Sequence, residues 1–277
     1  MIFTEEISMK LRVIVDNHTY IDEYYWGEPA LCLYLEDGDK RILLDTGYSE
    51  IFMHNAELMG IDLSSLTDIA FSHGHNDHTR GLKFLRETYD LSRVRLTAHP
   101  DAFLPKEKDG LDIGAPYSAE EIAEHLDYRP SRTPVRLSEH LTWLGEIPRV
   151  VPFERNIGIG RYRKNGVWQD DELVDDTALV HDGEDGLFII TGCSHSGICN
   201  ILSRAEELFP GKPVTGILGG FHLMQDDYRL AETVTFLKEH TKGTLYPCHC
   251  VCLEAKCRMM NELPVRETAV GLELNIR

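Results

Sequence analysis

Short runs of consecutive apolar residues alternate along the chain with segments whose apolar positions recur every three or four residues. The runs at 42–44, 68–71, 94–96, 187–190, 214–218 and 243–246 read as buried strands. Helices are expected over 49–59, closed by Gly60, and over 81–89, 198–209 and 228–240. A further helix starts at Ser118, where Ser118 and Glu121 have capping-box spacing, and Asp226-Asp227 supplies N-cap chemistry before residue 228. Strand and helix alternating in this way predict an α/β protein. The chain carries no low-complexity tract, coiled-coil heptad or fixed-period repeat.

The polar residues that follow the apolar runs are the informative ones. The runs lead in turn into Asp45-Thr46-Gly47, Ser72-His73-Gly74-His75, Thr97-Ala98-His99, Thr191-Gly192-Cys193-Ser194-His195, Gly219-Gly220-Phe221-His222 and Pro247-Cys248-His249. Core strands that feed polar loops at their C-terminal ends are how open α/β sheets build active sites. Two stretches interrupt the pattern: a proline-bearing one from about 100 to 149 and a glycine-bearing one from about 155 to 176. Both are expected to be surface excursions, in loops of the kind that act as lids or binding loops, on a single domain spanning 1–277.

Composition narrows the class. The 277 residues are 42% apolar and 9% aromatic, ordinary for a globular enzyme, and no run reaches the roughly 18 apolar residues of a membrane span. The acidic start, residues 1–6, lacks a signal-peptide pattern, so a cytoplasmic location is the default. A formal charge of −18 argues against a nucleic-acid partner but leaves room for an anionic small molecule, because bound cations dominate the local field of a site. Seven cysteines, four of them between Cys248 and Cys257, favour reduced thiols or metal chemistry over a disulfide framework. Oligomeric state has no signature in the sequence.

The run His73-Gly74-His75-Asn76-Asp77-His78 has the pattern His-x-His-x-Asp-His. Two histidines one residue apart, in a turn leaving a strand, can address one cation, and the Asp-His pair just beyond can face a second. Neutral imidazole and carboxylate are the usual ligands of zinc and its neighbours.

These residues resemble those that define the metallo-β-lactamase superfamily. Asp45-Thr46-Gly47 is similar to its first motif and His249 to its last metal ligand. Gly145-Glu146-Ile147-Pro148-Arg149, Asp175-Asp176-Thr177-Ala178-Leu179, Thr191 to Ile198, Gly219 to Leu223 and Cys248-His249-Cys250 narrow the resemblance. The branch is the one labelled dihydropterin-ribofuranosylaminobenzene-phosphate synthase-like, or metal-dependent hydrolase of β-lactamase superfamily II. The resemblance implies a four-layer αββα sandwich with two divalent ions, zinc first and manganese or iron as alternatives. It implies His73, His75 and His195 around one ion and Asp77, His78 and His249 around the other. The sequence departs from the family where an Asp usually bridges the metals: Cys193 stands there, as a thiolate ligand or as a packing residue.

Asp45 is expected to orient a ligating histidine rather than bind metal. Asp176, Asp16 and Asn17 are rim candidates, Asn17 for substrate. His222, after two glycines, is a candidate to bind or protonate a substrate oxygen, beside Asp77 as the residue that positions the nucleophile. His99 is evenly balanced between site and structure. His18, His54, His125, His140, His181 and His240 read as surface or helix positions. Cys248, Cys250, Cys252 and Cys257 are poorly spaced for a zinc or iron–sulfur site and are expected to be mainly structural.

The function expected first is metal-dependent hydrolysis of a small phosphorylated or ester substrate, through water whose pKa a metal lowers to about 7. The resemblance also implies an alternative, a synthase condensing a dihydropterin pyrophosphate with a ribofuranosylaminobenzene phosphate. A non-catalytic metal-binding sensor ranks below both. A diiron oxygen or nitric oxide reductase is disfavoured, since that lineage carries Glu where His75 stands.

Overall fold

The computed structural model describes residues 8–155 and 158–277. The acidic N-terminal residues 1–6 and, within the second irregular stretch, residues 156–157 lie outside the described part.

In chain order the strands are β1 (Met9–Val15), β2 (Cys32–Asp37), β3 (Lys40–Leu44), β4 (Asp68–Ala70), β5 (Arg95–Ala98), β6 (Lys106–Lys108), β7 (Leu111–Asp112), β8 (Asp127–Pro130), β9 (Val135–Arg136), β10 (Leu141–Trp143), β11 (Arg161–Lys164), β12 (Val167–Asp170), β13 (Ala178–Asp182), β14 (Leu187–Thr191), β15 (Val214–Gly219), β16 (Thr241–Pro247) and β17 (Glu273–Ile276). The helices are α1 (Ile51–Leu58), α2 (Asn76–Thr79), α3 (Leu82–Thr88), α4 (Ala119–Ala123), α5 (Ile198–Leu208), α6 (Tyr228–His240) and α7 (Leu253–Met260). One sheet has the order β17-β1-β2-β3-β4-β5-β8, and a second the order β16-β15-β14-β13-β10-β9.

The apolar runs are continuous because both faces of each sheet are covered. Within β14, Leu187 and Ile189 point to one buried cluster and Phe188 and Ile190 to another. Within β2, Cys32 and Tyr34 face helices α1 and α3, while Leu33 and Leu35 face the opposite sheet. Three separate apolar interfaces result. One lies between the two sheets around Trp143 and Leu33, one under α1, α3 and α4, and one under α5, α6 and α7. That is the αββα layering expected from the sequence. Trp143 fixes the middle layer further by donating its indole N–H to the Phe71 carbonyl at 3.1 Å.

The helix signals act as read. Ser118 and Glu121 form a reciprocal capping box on α4, and the Asp227 carboxylate accepts from the Leu230 N–H at 3.0 Å to open α6. Strands β3, β4, β5 and β8 run parallel, as do β14, β15 and β16. The loops leaving each parallel set therefore emerge at one edge of their sheet.

The stretch from about 100 to 149, expected to run over the surface, does so only in part: β8 joins the first sheet, and β9 and β10 join the second. Pieces of the two excursions also pair with each other, forming a small sheet of order β12-β11-β6-β7. No described helix is long and apolar enough to cross a membrane.

Candidate metal centre

The loops after β3, β4, β14, β15 and β16 converge on two adjoining groups of donor atoms. His73, His75 and His195 form the first, with their ligand atoms within 4.8 Å of one another. Asp77, His78, Cys193 and His249 form the second, to the same tolerance. The His73 and His78 rings, 4.2 Å apart between centroids, join the groups.

Tight backbone turns make this convergence. Asp45, Ser194, His222 and His249 all take positive φ, at 61°, 57°, 48° and 51°. This left-handed region is costly for residues with a Cβ and concentrates at functional sites. Gly74 is required for a different reason. A Cβ there would lie 1.9 Å from the Ala102 carbonyl oxygen, so only glycine lets the His73-Gly74-His75 turn sit against that backbone.

Asp45 orients donors of both groups. It accepts from the Ser72 backbone N–H at 2.8 Å, from Ser72 Oγ at 2.7 Å and from His78 Nδ1 at 2.7 Å. With its hydrogen given to Asp45, Ser72 Oγ is left to accept from His73 Nδ1 at 3.0 Å. The Nε2 atoms of His73 and His78 then face inward, the arrangement that supporting carboxylates impose on metal-binding histidines. His249 is set in the same way, Nδ1 meeting Asn17 Oδ1 at 3.3 Å, and its backbone N–H donates to Asp16 Oδ1 at 2.7 Å. Asp16, expected on the rim, is fully buried in this supporting role. Asp176 holds the His195 loop by accepting from Ser196 N–H at 2.9 Å and from Ser196 Oγ.

The donor set fits cations. His73 Nε2, His75 Nε2 and both ring nitrogens of His195 are buried without a hydrogen-bond partner. Orphaned polar atoms of this kind are costly unless something absent from the protein satisfies them. In the second group His78 Nε2 lies 3.2 Å from His249 Nε2, 3.2 Å from Cys193 Sγ and 3.4 Å from Asp77 Oδ2, and His249 Nε2 lies 3.3 Å from Asp77 Oδ2. Ligands about 2.1 Å from a tetrahedral zinc are about 3.4 Å from one another, so these edges match a tetrahedral cage.

The two groups differ electrostatically. Burial, reinforced by the neighbouring imidazoles, pushes His73 and His195 well below the ordinary histidine range. Burial also takes His75 down to about 4, against the pull of Asp77. In the second group burial opposes charge on His78, yet the Asp77 and Asp45 carboxylates hold its pKa well above the ordinary value. Burial likewise opposes charge on Asp77, and His78 and His249 still hold it well below the carboxylate range.

A cleft of about 370 Å³ opens over both groups. Asn17, Asp77, Cys193, His222 and His249 line it, together with Lys108, Ile113 and Ile159 from the two excursions. His222 packs its ring 4.6 Å from that of His195, and its Nδ1 has no partner. His99 is turned away from the centre, its Nε2 2.8 Å from Glu146 Oε1 and its Nδ1 accepting from the Asp101 N–H. The four late cysteines do not assemble. Cys248 enters the layer between the sheets, Cys250 lines the cleft, Cys252 caps α7 and Cys257 is exposed.

One supporting group was missed from sequence. Buried Lys106 pairs with Asp171 at 2.6 Å and Asp175 at 3.1 Å, and Asp175 accepts from the Gly74 N–H at 2.8 Å. This braces the His73–His75 turn from behind. The run Asp175-Asp176 was the only signal of it; Lys106, among prolines and charges, gave none.

Comparison with known proteins agrees with this fold. The family described as the metallo-beta-lactamase superfamily matches residues 25–211. A Methanocaldococcus jannaschii protein named 7,8-dihydropterin-6-methyl-4-(beta-D-ribofuranosyl)-aminobenzene-5'-phosphate synthase is 30% identical over 270 residues, 92% of this chain and 92% of that protein. An uncharacterized protein of the same organism is 31% identical over 90% of this chain and 93% of its own length. A solved structure described as a metal-dependent hydrolase of the beta-lactamase superfamily superposes with a TM-score of 0.82 at 28% identity, covering 96% of this chain and 98% of the other.

Proposed function

Because the chain belongs to the metallo-β-lactamase superfamily, we propose that it is a metal-dependent synthase joining a dihydropterin pyrophosphate to a phosphorylated aromatic amine. The observation that carries this reading is the similarity to the M. jannaschii synthase, which runs through nine tenths of both chains. It displaces hydrolysis from first place.

In this proposal His73, His75 and His195 hold one divalent ion and Asp77, His78, Cys193 and His249 a second, with zinc favoured by the mixed nitrogen and sulfur donors. When bound, such ions supply Lewis acidity that neutralises charge on phosphoryl oxygens. The remaining work falls to side chains of the cleft. Asp77, whose carboxylate lines the cleft, orients the N–H of the incoming amine. His222, with a free ring nitrogen, hydrogen-bonds the departing oxygen. Asn17 and Lys108 meet polar parts of the substrate, and Ile113 and Ile159 offer an apolar wall to a flat ring. A C–N bond forms as the C–O bond to pyrophosphate breaks, and the amine proton is lost.

Hydrolysis remains the second reading, favoured by the structural relative described as a hydrolase, with water in place of the amine. One assay separates the two. Metal-loaded protein is given the dihydropterin pyrophosphate, and pyrophosphate release is followed with and without a ribofuranosylaminobenzene phosphate. Release that requires the amine is the expected result. Equal release without it would transfer the assignment to hydrolysis, and no release in either mixture would overturn both for this substrate.

A further inference from the structure

A second groove, of about 450 Å³, adjoins the metal cleft; Asn76 lines both. Its other walls are Tyr48, Arg80, Lys83, Asp112, Gly114, Pro116 and Tyr117. Two observations distinguish it. The protein carries 46 acidic side chains against 28 basic ones, and many surface cations, such as Lys10, Arg12, Lys212 and Lys238, are ion-paired, although some outside the groove, such as Arg93 and Lys256, are not paired among the described residues. Arg80 and Lys83 have neither an ion pair nor a side-chain hydrogen bond among the described residues. Arg80 is nonetheless held in place, its guanidinium carbon 4.3 Å from the centroid of the Tyr48 ring. Arg86 stacks similarly on Tyr117 at 4.5 Å. A guanidinium whose face rests on an aromatic ring keeps its N–H edges available for an anion.

We infer that this groove binds the terminal phosphate of a phosphomonoester substrate whose reacting end lies at the metal centre. Arg80 and Lys83 are the phosphate-binding residues, and Tyr48 positions Arg80. Asp77 faces the metals while Arg80 and Lys83 follow it by three and six residues, so one short segment of chain joins the two ends of the substrate. Asp112 is the carboxylate among the lining residues; its Oδ1 accepts from the Gly114 N–H at 3.0 Å, and it opposes anion binding. The inference rests on the synthase reading for the identity of the ester, a ribofuranosyl 5′-phosphate, but not for the presence of an anion site.

The test is calorimetric titration of the metal-loaded protein with ribose 5-phosphate and, separately, with inorganic phosphate. Saturable binding of the ester is expected, weakened at least about tenfold in the Arg80→Gln/Lys83→Gln double variant with metal content unchanged. Asp112→Asn is expected to strengthen it about twofold. Equal affinity in wild type and double variant, or no saturable binding of the ester, would overturn the site. Inorganic phosphate binding as tightly as the ester would also overturn it as a substrate subsite, leaving a free-ion site. Failure of amine-dependent pyrophosphate release would sink the synthase reading alone, because none of these titrations depends on turnover.

Discussion

The two candidate donor groups at the sheet edge share Asp45 as a support, yet they balance charge in opposite ways. His73, His75 and His195 are three buried imidazoles with nothing to balance a charge, and their nitrogens stay neutral and unpartnered. Asp77, His78, Cys193 and His249 carry their own counter-charge. His78 lies between the Asp77 and Asp45 carboxylates, which hold its pKa well above the ordinary histidine value and favour its charged form. The first group thus leaves its buried nitrogens unsatisfied, and the second is self-compensated. Buried polar atoms left unpaired cost about 1–3 kcal/mol each, so metal loading is expected to stabilise the fold chiefly through the all-histidine group.

The largest effect should come from removing a donor where no substitute exists. His75→Ala is expected to lower turnover at least about a thousandfold, roughly 4 kcal/mol of transition-state stabilisation, and to lower metal content by one ion per chain. Far-UV circular dichroism should be unchanged, because the turn is braced by Gly74 and Asp175 rather than by the ring. Full activity in this variant would remove His75 from the centre. Loss of both ions would break the comparison itself, by showing that the groups are not independent.

A stability measurement on chelated protein gives the next largest effect. His75 has a folded pKa of about 4 against about 6.5 in an unfolded chain. Between those values the unfolded chain holds a proton that folded His75 refuses, so the stability present above pH 6.5 is lost as pH falls toward 4. The loss is on the order of 3 kcal/mol for this one group. His78 behaves oppositely. Its raised pKa gives stability that is complete below pH 6.5 and is lost only as pH rises through the folded value, so it adds no slope in this window. Urea melts of metal-free wild type and His75→Gln, at pH 6.5, 5.5 and 4.5, should therefore diverge, the variant having the shallower decline. Parallel declines would mean that His75 is not held neutral.

How far each region could be read from sequence follows from the range of the interactions that build it. The histidine turn is local. Its candidate ligands come within six residues, behind an apolar strand, and the glycine that lets it fold lies inside the motif. The support behind it is not local: Lys106 reaches Asp171 and Asp175 across more than sixty residues, with no periodicity to announce the contact. The small third sheet was hidden for a related reason. Strands such as Lys106-Glu107-Lys108 and Arg161-Tyr162-Arg163-Lys164 carry polar residues in succession, so they lack the apolar alternation that identifies a strand. Helix α7 was hidden as well, because Cys252 stands where a Ser or Asp would mark its start. Cys193 stayed ambiguous because a buried thiol serves equally as packing atom and as donor until its neighbours are placed.

That ambiguity allows the smallest and most specific test of the contrast between the two groups. Cys193 Sγ, 3.2 Å from His78 Nε2, is the one sulfur atom in the second candidate group, and the first holds none. Cys193→Asp restores the carboxylate usual in this superfamily and changes donor type while keeping the anionic charge. A thiolate favours zinc, whereas a carboxylate suits harder cations such as manganese. The variant should bind its second zinc about tenfold more weakly, about 1.4 kcal/mol, and its second manganese more tightly, with the first equivalent of either metal unchanged. The readout is competition against a chromogenic chelator, one equivalent at a time. A change confined to the second equivalent makes Cys193 a ligand and ties the difference between the groups to donor chemistry. No change in either equivalent would return Cys193 to the core and leave His78, His249 and Asp77 to hold the second ion alone.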